Sequence, residues 1–135
     1  MSENTSAGTA DPSDAPDAPD GLDALVGDWL DWKATAAALG VSVTKVRTLI
    51  REHQLAAVVP RPGAGQQVPA ALVMDGEVVK GVGGLLTVLS DGGWDDREML
   101  EWMFTTDDTL PGRPIDALRE NRGSEVKRRA QAIAL

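Results

Sequence analysis

The chain of 135 residues contains no cysteine and no tyrosine, with one phenylalanine and one histidine, His53. The missing cysteines remove disulfides, thiol catalysis and Cys-ligated zinc together. A single histidine excludes a histidine-rich metal site. No nucleophile–base set stands out, so the sequence predicts no metal, no cofactor and no enzyme. Long hydrophobic runs are also missing. The most apolar stretch, Val82 to Leu89, is far shorter than the roughly 20 residues a membrane-spanning helix needs, and no signal peptide is visible. One small domain, or two very small ones, in the cytoplasm is the expectation.

Positive charge is absent from the first 28 residues, which carry seven acidic groups. The formal net charge of −8 argues at first against a polyanionic partner, but its distribution reverses that impression. Residues 29–61 carry five basic and two acidic groups, and residues 62–112 carry two basic and nine acidic. Residues 113–135 return to six basic and three acidic. A polyanion responds to the local field, screened over roughly 10 Å at ordinary salt, so residues 29–61 are the stretch able to meet one.

Residues 1–21 hold no apolar side chain beyond Met1 and the alanines. Such a segment cannot bury enough surface to offset its ordering entropy. An acidic disordered tail over 1–27 is expected, with the folded part starting between Leu22 and Trp29. The tail offers Ser2, Thr5, Ser6, Thr9 and Ser13 among its acids. A phosphate on one of them adds about −1.5 to −2 charges and would strengthen competition between the tail and a polyanion for the positive stretch. An inert solubilising tail is the other reading.

The positive stretch carries the most informative spacing. Ala36, Gly40, Val41, Val46 and Leu49 stand at offsets 0, 4, 5, 10 and 13, the pattern of two short helices packed across a tight turn. Ala36 is small where the second helix crosses it, and Gly40 stands where the first helix must stop in a left-handed conformation. Asp31 reads as the N-cap of the first helix, which runs to about Leu39, and Ser42 as the N-cap of the second, which runs to about Glu52. Val41 and Val46 are placed as a hydrophobic staple. With Val46, Leu49 and Ile50 turned inward, helical spacing turns Thr44, Lys45, Arg47, Thr48 and Arg51 outward. Lys45 opposes the helix dipole at a position that favours Glu or Gln, the kind of local violation expected at a functional site. A helix-turn-helix presents such a second helix to the DNA major groove, its N-terminal half nearest the base edges.

Beyond it, Leu55 to Val59 and Gln66 to Val68 flank Pro60-Arg61-Pro62-Gly63-Ala64-Gly65. Two short strands joined by this loop describe a wing, with Pro60 limiting the first strand to an edge. Arg61, Gln66 and Gln67 sit on it. Arg61 suits a narrow minor groove or a phosphate, and equally a plain surface loop. Leu72 to Val79 around Asp75-Gly76 predicts a hairpin with a type I′ turn. The remainder has helical patterns: Val82 to Leu89, Asp96 to about Phe104 behind an Asp95/Glu98 capping box and a Trp94/Met99 staple, Ile115 to Leu118, and a last helix capped by Ser124 with Val126, Ala130 and Ile133 inward.

Other constellations read as structure. Trp29, Trp32, Trp94 and Trp102 are expected in the core rather than stacking on bases. Asp95, Asp96, Glu98, Glu101, Asp107 and Asp108 lack a metal-loop pattern. Gly81-Val82-Gly83-Gly84 lacks the strand and lysine of a phosphate loop. His53 is expected at a helix C-terminus as a dipole partner. Lys127-Arg128-Arg129, with Arg119 and Arg122, reads as a solvated face.

The segment from Asp31 to about Leu72 resembles excisionase- and MerR-type winged helix-turn-helix domains through Ala37-Ala38-Leu39-Gly40-Val41-Ser42, Lys45-Val46-Arg47-Thr48-Leu49-Ile50-Arg51, Leu55-Ala56-Ala57-Val58 and Val68-Pro69. With Glu77-Val78-Val79-Lys80, Gly84 to Leu89, Asp91-Gly92-Gly93-Trp94 and Arg113 to Leu118, residues 28–135 resemble a family of small actinobacterial winged-helix DNA-binding proteins linked to Ser/Thr protein kinase signalling. The resemblance implies DNA binding through the second helix and the wing, and an acceptor threonine in the tail, taken as Thr9 or Thr5. The C-terminal part also faintly resembles the toxin-binding domain of some helix-turn-helix antitoxins.

The expected fold is mainly α with small β, a winged helix-turn-helix over 28–80 followed by a small helical C-terminal region over 81–135 packed on it. The expected function is a DNA-binding transcriptional regulator. Its contact residues would be Ser42, Thr44, Lys45, Arg47, Thr48, Arg51, Arg61 and Gln66. Its partners would be double-stranded DNA and a Ser/Thr protein kinase, with no membrane, near the nucleoid, as monomer or weak homodimer. The alternative is an antitoxin-like interaction module that works through the acidic C-terminal half.

Overall fold

The computed structural model describes residues 21–110 and 112–134. The tail hydroxyls, Thr5 and Thr9 among them, lie outside the described residues. Chain order is α1 (Gly21–Val26), β1 (Trp29–Asp31), α2 (Trp32–Leu39), α3 (Val43–Arg51), β2 (Gln67–Pro69), a 3-10 turn (Ala70–Leu72), β3 (Val73–Met74), β4 (Glu77–Val78), α4 (Val82–Asp91), α5 (Asp96–Met103), α6 (Pro114–Arg119) and α7 (Gly123–Ile133). The mainly helical class with two small sheets is the one the sequence predicts.

Local chemistry sets the helix-turn-helix. The Asp31 carboxylate accepts the Ala34 N–H at 2.7 Å and caps α2. Such a cap contributes about 1 kcal/mol. Thr35 is fully buried, and its hydroxyl donates to the Asp31 carbonyl at 2.8 Å. Gly40 ends α2 at φ +69°, and the Gly40 and Val41 N–H groups fold back to Ala37 and Ala36. Only glycine holds that left-handed conformation without steric cost. Ser42 then caps α3, its hydroxyl accepting the Lys45 N–H at 3.0 Å. Ala36 and Val46 are buried where the two helices cross.

Three expectations are corrected, and one strand is added. Residues 21–26, inside the span expected to be tail, form α1, and Leu22 is buried in the core. The segment leading into α2 is a strand, β1, paired antiparallel with β2 from Trp29↔Pro69 to Asp31↔Gln67. The two-stranded wing is reduced to one bridge, Val58↔Gln67. Its first strand cannot extend because α5 claims its backbone. Asp96 accepts the Ala57 N–H at 3.2 Å, and Arg97 donates to the Val59 carbonyl at 2.9 Å. Leu55 to Val58 are accordingly all buried rather than alternating. Finally, Ser124 does not cap α7. The helix begins at Gly123 behind Arg122 with no side-chain cap. The left-handed Asn121, at φ +64°, returns the Arg122 N–H to the Ala117 carbonyl at 2.8 Å and leaves no extended residue for a cap.

The Asp75-Gly76 hairpin forms as read, with Val73↔Val78 and Met74↔Glu77 paired and both turn residues at positive φ. The Asp95/Glu98 capping box is complete. One hydrophobic cluster joins both parts of the chain, from Leu22 through Leu55, Val68 and Leu72 to Leu86, Leu100, Phe104, Ile115, Val126 and Ala130. Trp29, Trp94 and Trp102 pack against it half-buried. Ile133 is 42% exposed and stays outside this face.

Candidate nucleic-acid interface

α3 follows its cap at once with polar and cationic residues. Thr44, Lys45, Arg47 and Arg51 are exposed and Thr48 is half-buried, while Val46 is sealed inside and Leu49 and Ile50 pack against the core. The helix therefore shows one wet face and one dry one, as its periodicity demands. Its wet face is internally braced. The Thr48 hydroxyl donates to the Thr44 carbonyl at 3.2 Å, and Arg51 donates to the Thr48 hydroxyl at 3.4 Å. Among the described residues no carboxylate pairs with Lys45, Arg47 or Arg51. Among the described residues, three cations on one short helix are left without an anionic partner.

Two neighbours of this face were missed in the sequence. Trp32 opens α2, and the Arg47 guanidinium lies 5.9 Å from its ring centroid. The Trp32 indole Nε1 is buried without a hydrogen-bond partner. Trp32 is thus a partly buried platform under Arg47 rather than a member of the main core cluster. The α2–α3 spacing signals a crossing but does not place an indole beneath a guanidinium. Val43, in the first turn of α3, is 40% exposed and adds an apolar contact surface beside Thr44.

The wing residues are placed differently from α3. Arg61 is 45% exposed, but its guanidinium lies 3.6 Å from Asp23 on α1, and Asp23 also accepts the Trp29 Nε1–H at 3.0 Å. Gln66 is exposed, while Gln67 turns back to the Ala64 carbonyl at 3.2 Å. The structure therefore gathers Ser42, Thr44, Lys45, Arg47, Thr48 and Arg51 on one helix, and ties Arg61 to the start of the fold.

The base of α3 is fixed by the C-terminal half. His53 adopts φ +60° just past the helix, and the His53 and Gln54 N–H groups return to the Ile50 and Leu49 carbonyls. Its Nε2 lies 3.2 Å from the Ser90 hydroxyl on α4 and its Nδ1 is buried without a partner, so it joins two elements where a dipole partner was expected. Asp96 is pushed above the ordinary carboxylate range, chiefly by burial. Several C-terminal arginines, among them Arg119 and Arg129 expected on a solvated face, are instead tied internally. Arg113 forks onto Asp116 at 2.8 and 2.9 Å, Arg119 donates to the Ala71 carbonyl at 2.7 Å, and Arg129 holds Thr109.

A capped helix pair with an exposed cationic second helix, followed by a loop that returns to a small sheet, defines a winged helix-turn-helix protein. The chain belongs to the family of the DNA-binding protein Rv2175c. Residues 15–73 match the family model described as "DNA-binding protein Rv2175c, wHTH domain", and residues 79–134 match the "Rv2175c C-terminal domain of unknown function". The chain is 41% identical over 117 residues to the DNA-binding protein Rv2175c of Mycobacterium tuberculosis (strain ATCC 25618 / H37Rv), covering 77% of this chain and 79% of that one. The NMR structure of Rv2175c superposes with a TM-score of 0.72 at 40% identity, over 80% of this chain and 82% of that one. No helix among the described residues is long and apolar enough to cross a membrane.

Proposed function

We propose that this protein binds double-stranded DNA by seating α3 in the major groove, and that it acts as a transcriptional regulator near the nucleoid, not as an enzyme. The observation that carries the reading is the face of α3, whose Lys45, Arg47 and Arg51 have no carboxylate partner among the described residues. Thr44, Lys45 and Thr48 stand nearest the helix start and meet base edges, with Ser42 at the cap. Arg47 and Arg51 meet phosphates, and Arg61 and Gln66 contact the flanking backbone or minor groove. In the acidic tail, Thr9 or Thr5 accepts a phosphate from a Ser/Thr protein kinase. The added negative charge competes with DNA for the α3 face. The chain works as a monomer or weak homodimer.

Salt titration of duplex binding tests this. The affinity falls with salt, and Arg47→Ala removes about one unit of slope in log K against log salt. If Lys45→Ala and Arg47→Ala leave affinity unchanged, the reading fails and an interaction module working through the acidic half replaces it. Comparing the full chain with one starting at Gly21, each with and without kinase treatment, tests the tail. Equal affinities at low salt remove its role.

A further inference from the structure

Four of the arginines between Arg113 and Arg129 are committed to bonds inside the fold. Lys80 and Lys127 are not. Both are exposed, and neither pairs with a carboxylate among the described residues. They line one groove of about 340 Å³, set between the start of α4 and the turn from α6 into α7. Its floor is Leu85 and Leu118, both buried. Its remaining polar walls are Asn121 and Ser124, whose side chains make no hydrogen bond among the described residues. Glycine keeps the recess open. A Cβ built on Gly84 meets nothing within 4 Å, so the groove occupies the space a side chain there would fill. A Cβ on Gly81 would come within 2.9 Å of the Leu118 side chain.

We infer that this groove binds a small phosphate monoester that carries an apolar body. Two ammonium groups with no carboxylate partner among the described residues meet a dianion, and the Ser124 hydroxyl adds a donor. The Asn121 carboxamide offers both a donor and an acceptor to the polar edge of a ring. The two leucines lie under the apolar part. Small-molecule sites combine this kind of apolar floor with a few convergent polar groups, at about 300 Å³ and upward. Both α4 and α7 also begin here without a side-chain cap, so first-turn N–H groups have no side-chain acceptor. A duplex presents its phosphates along a ridge, whereas a recess floored by buried leucines matches a detached molecule. The site is separate from α3, and the inference stands or falls independently of DNA binding.

Titration of the full chain with adenosine 5′-monophosphate, followed by amide NMR shifts at ordinary ionic strength, tests it. Saturable shifts are expected at Gly81, Gly84, Asn121 and Ser124, with a dissociation constant of about 1 mM or tighter. Adenosine without the phosphate should bind at least about tenfold more weakly. A Lys80→Ala/Lys127→Ala double variant should lose about tenfold or more in affinity. Gly84→Leu, which fills the recess from a helical position, should lose binding altogether. Shifts that do not saturate, shifts spread equally over α3 and the groove, or an affinity unchanged in the lysine double variant would overturn the assignment.

Discussion

Asp23 and Arg61 face each other at 3.6 Å, across the gap between the first helix of the fold and the tip of the wing. An arginine that the loop chemistry offers to DNA is therefore already engaged by a carboxylate that is 16% exposed. On the proposed reading, DNA would have to displace that partner before Arg61 reached a phosphate. Replacing Asp23 by Asn removes the competing charge and keeps an oxygen to accept the Trp29 indole N–H. Such a partly exposed pair is worth at most about 1 kcal/mol. Asp23→Asn should therefore tighten duplex binding by up to about fivefold, and the gain should vanish in an Asp23→Asn/Arg61→Ala double variant. Fluorescence anisotropy with a labelled duplex measures both.

Trp32 and Arg47 form a second coupled pair, at 5.9 Å. If the indole face steadies the guanidinium for DNA, a double-mutant cycle between Trp32→Leu and Arg47→Ala on binding affinity should give a coupling of about 0.5–1 kcal/mol. Trp32→Phe keeps a ring and discards the unpartnered Nε1–H. It should retain most of the affinity and raise stability by about 1 kcal/mol, read from chemical denaturation.

Gly40 is the turn on which α2 and α3 are folded together. A Cβ there meets nothing within 4 Å, so the cost of Gly40→Ala is purely conformational, about 1–2 kcal/mol for a left-handed residue. Thermal unfolding should show that loss without a change in far-UV helical content at low temperature.

Two carboxylates predict opposite acid responses. Hydrogen bonding from Arg113, first of all its causes, holds Asp116 below the usual carboxylate range. Its stabilisation is present above the unfolded value and is lost as pH falls through the lower folded one. Asp96 is raised in the fold, chiefly by burial. Its ionised form disfavours folding, so this contribution improves as pH falls through the raised folded value. Asp116→Asn should therefore flatten the acid limb of a stability-versus-pH curve, and Asp96→Asn should steepen it. Denaturant melts between about pH 3 and 6 distinguish the two.

What the chain discloses before folding is what short-range chemistry controls. The Asp31 and Ser42 caps, the stop at Gly40, the Asp75-Gly76 turn and the Asp95/Glu98 box each involve residues within a few positions of one another. Each stands in the structure as the spacing implies. The outward face of α3 follows from the same periodicity. The failures involve partners far apart in the chain. Nothing local to Leu55–Val59 shows that Asp96 and Arg97 take its backbone groups and leave one bridge of a wing. Nothing local to Arg61 shows that Asp23 awaits it. β1 was hidden because three residues are too few for an alternating pattern to register, and its existence depends on β2.

The grip of Asp96 and Arg97 on Ala57 and Val59 bears on ancestry. The element that reads as a reader of DNA and the element of unknown role are stitched through one apolar interior, which holds Leu55, Val68 and Leu72 together with Leu86, Leu100 and Phe104. A gene that shed its second segment would leave that interior wet. Recombination is therefore expected to move the two segments as a unit. A descendant found with only the first should carry polar replacements at those three positions, or a newly acquired covering of its own.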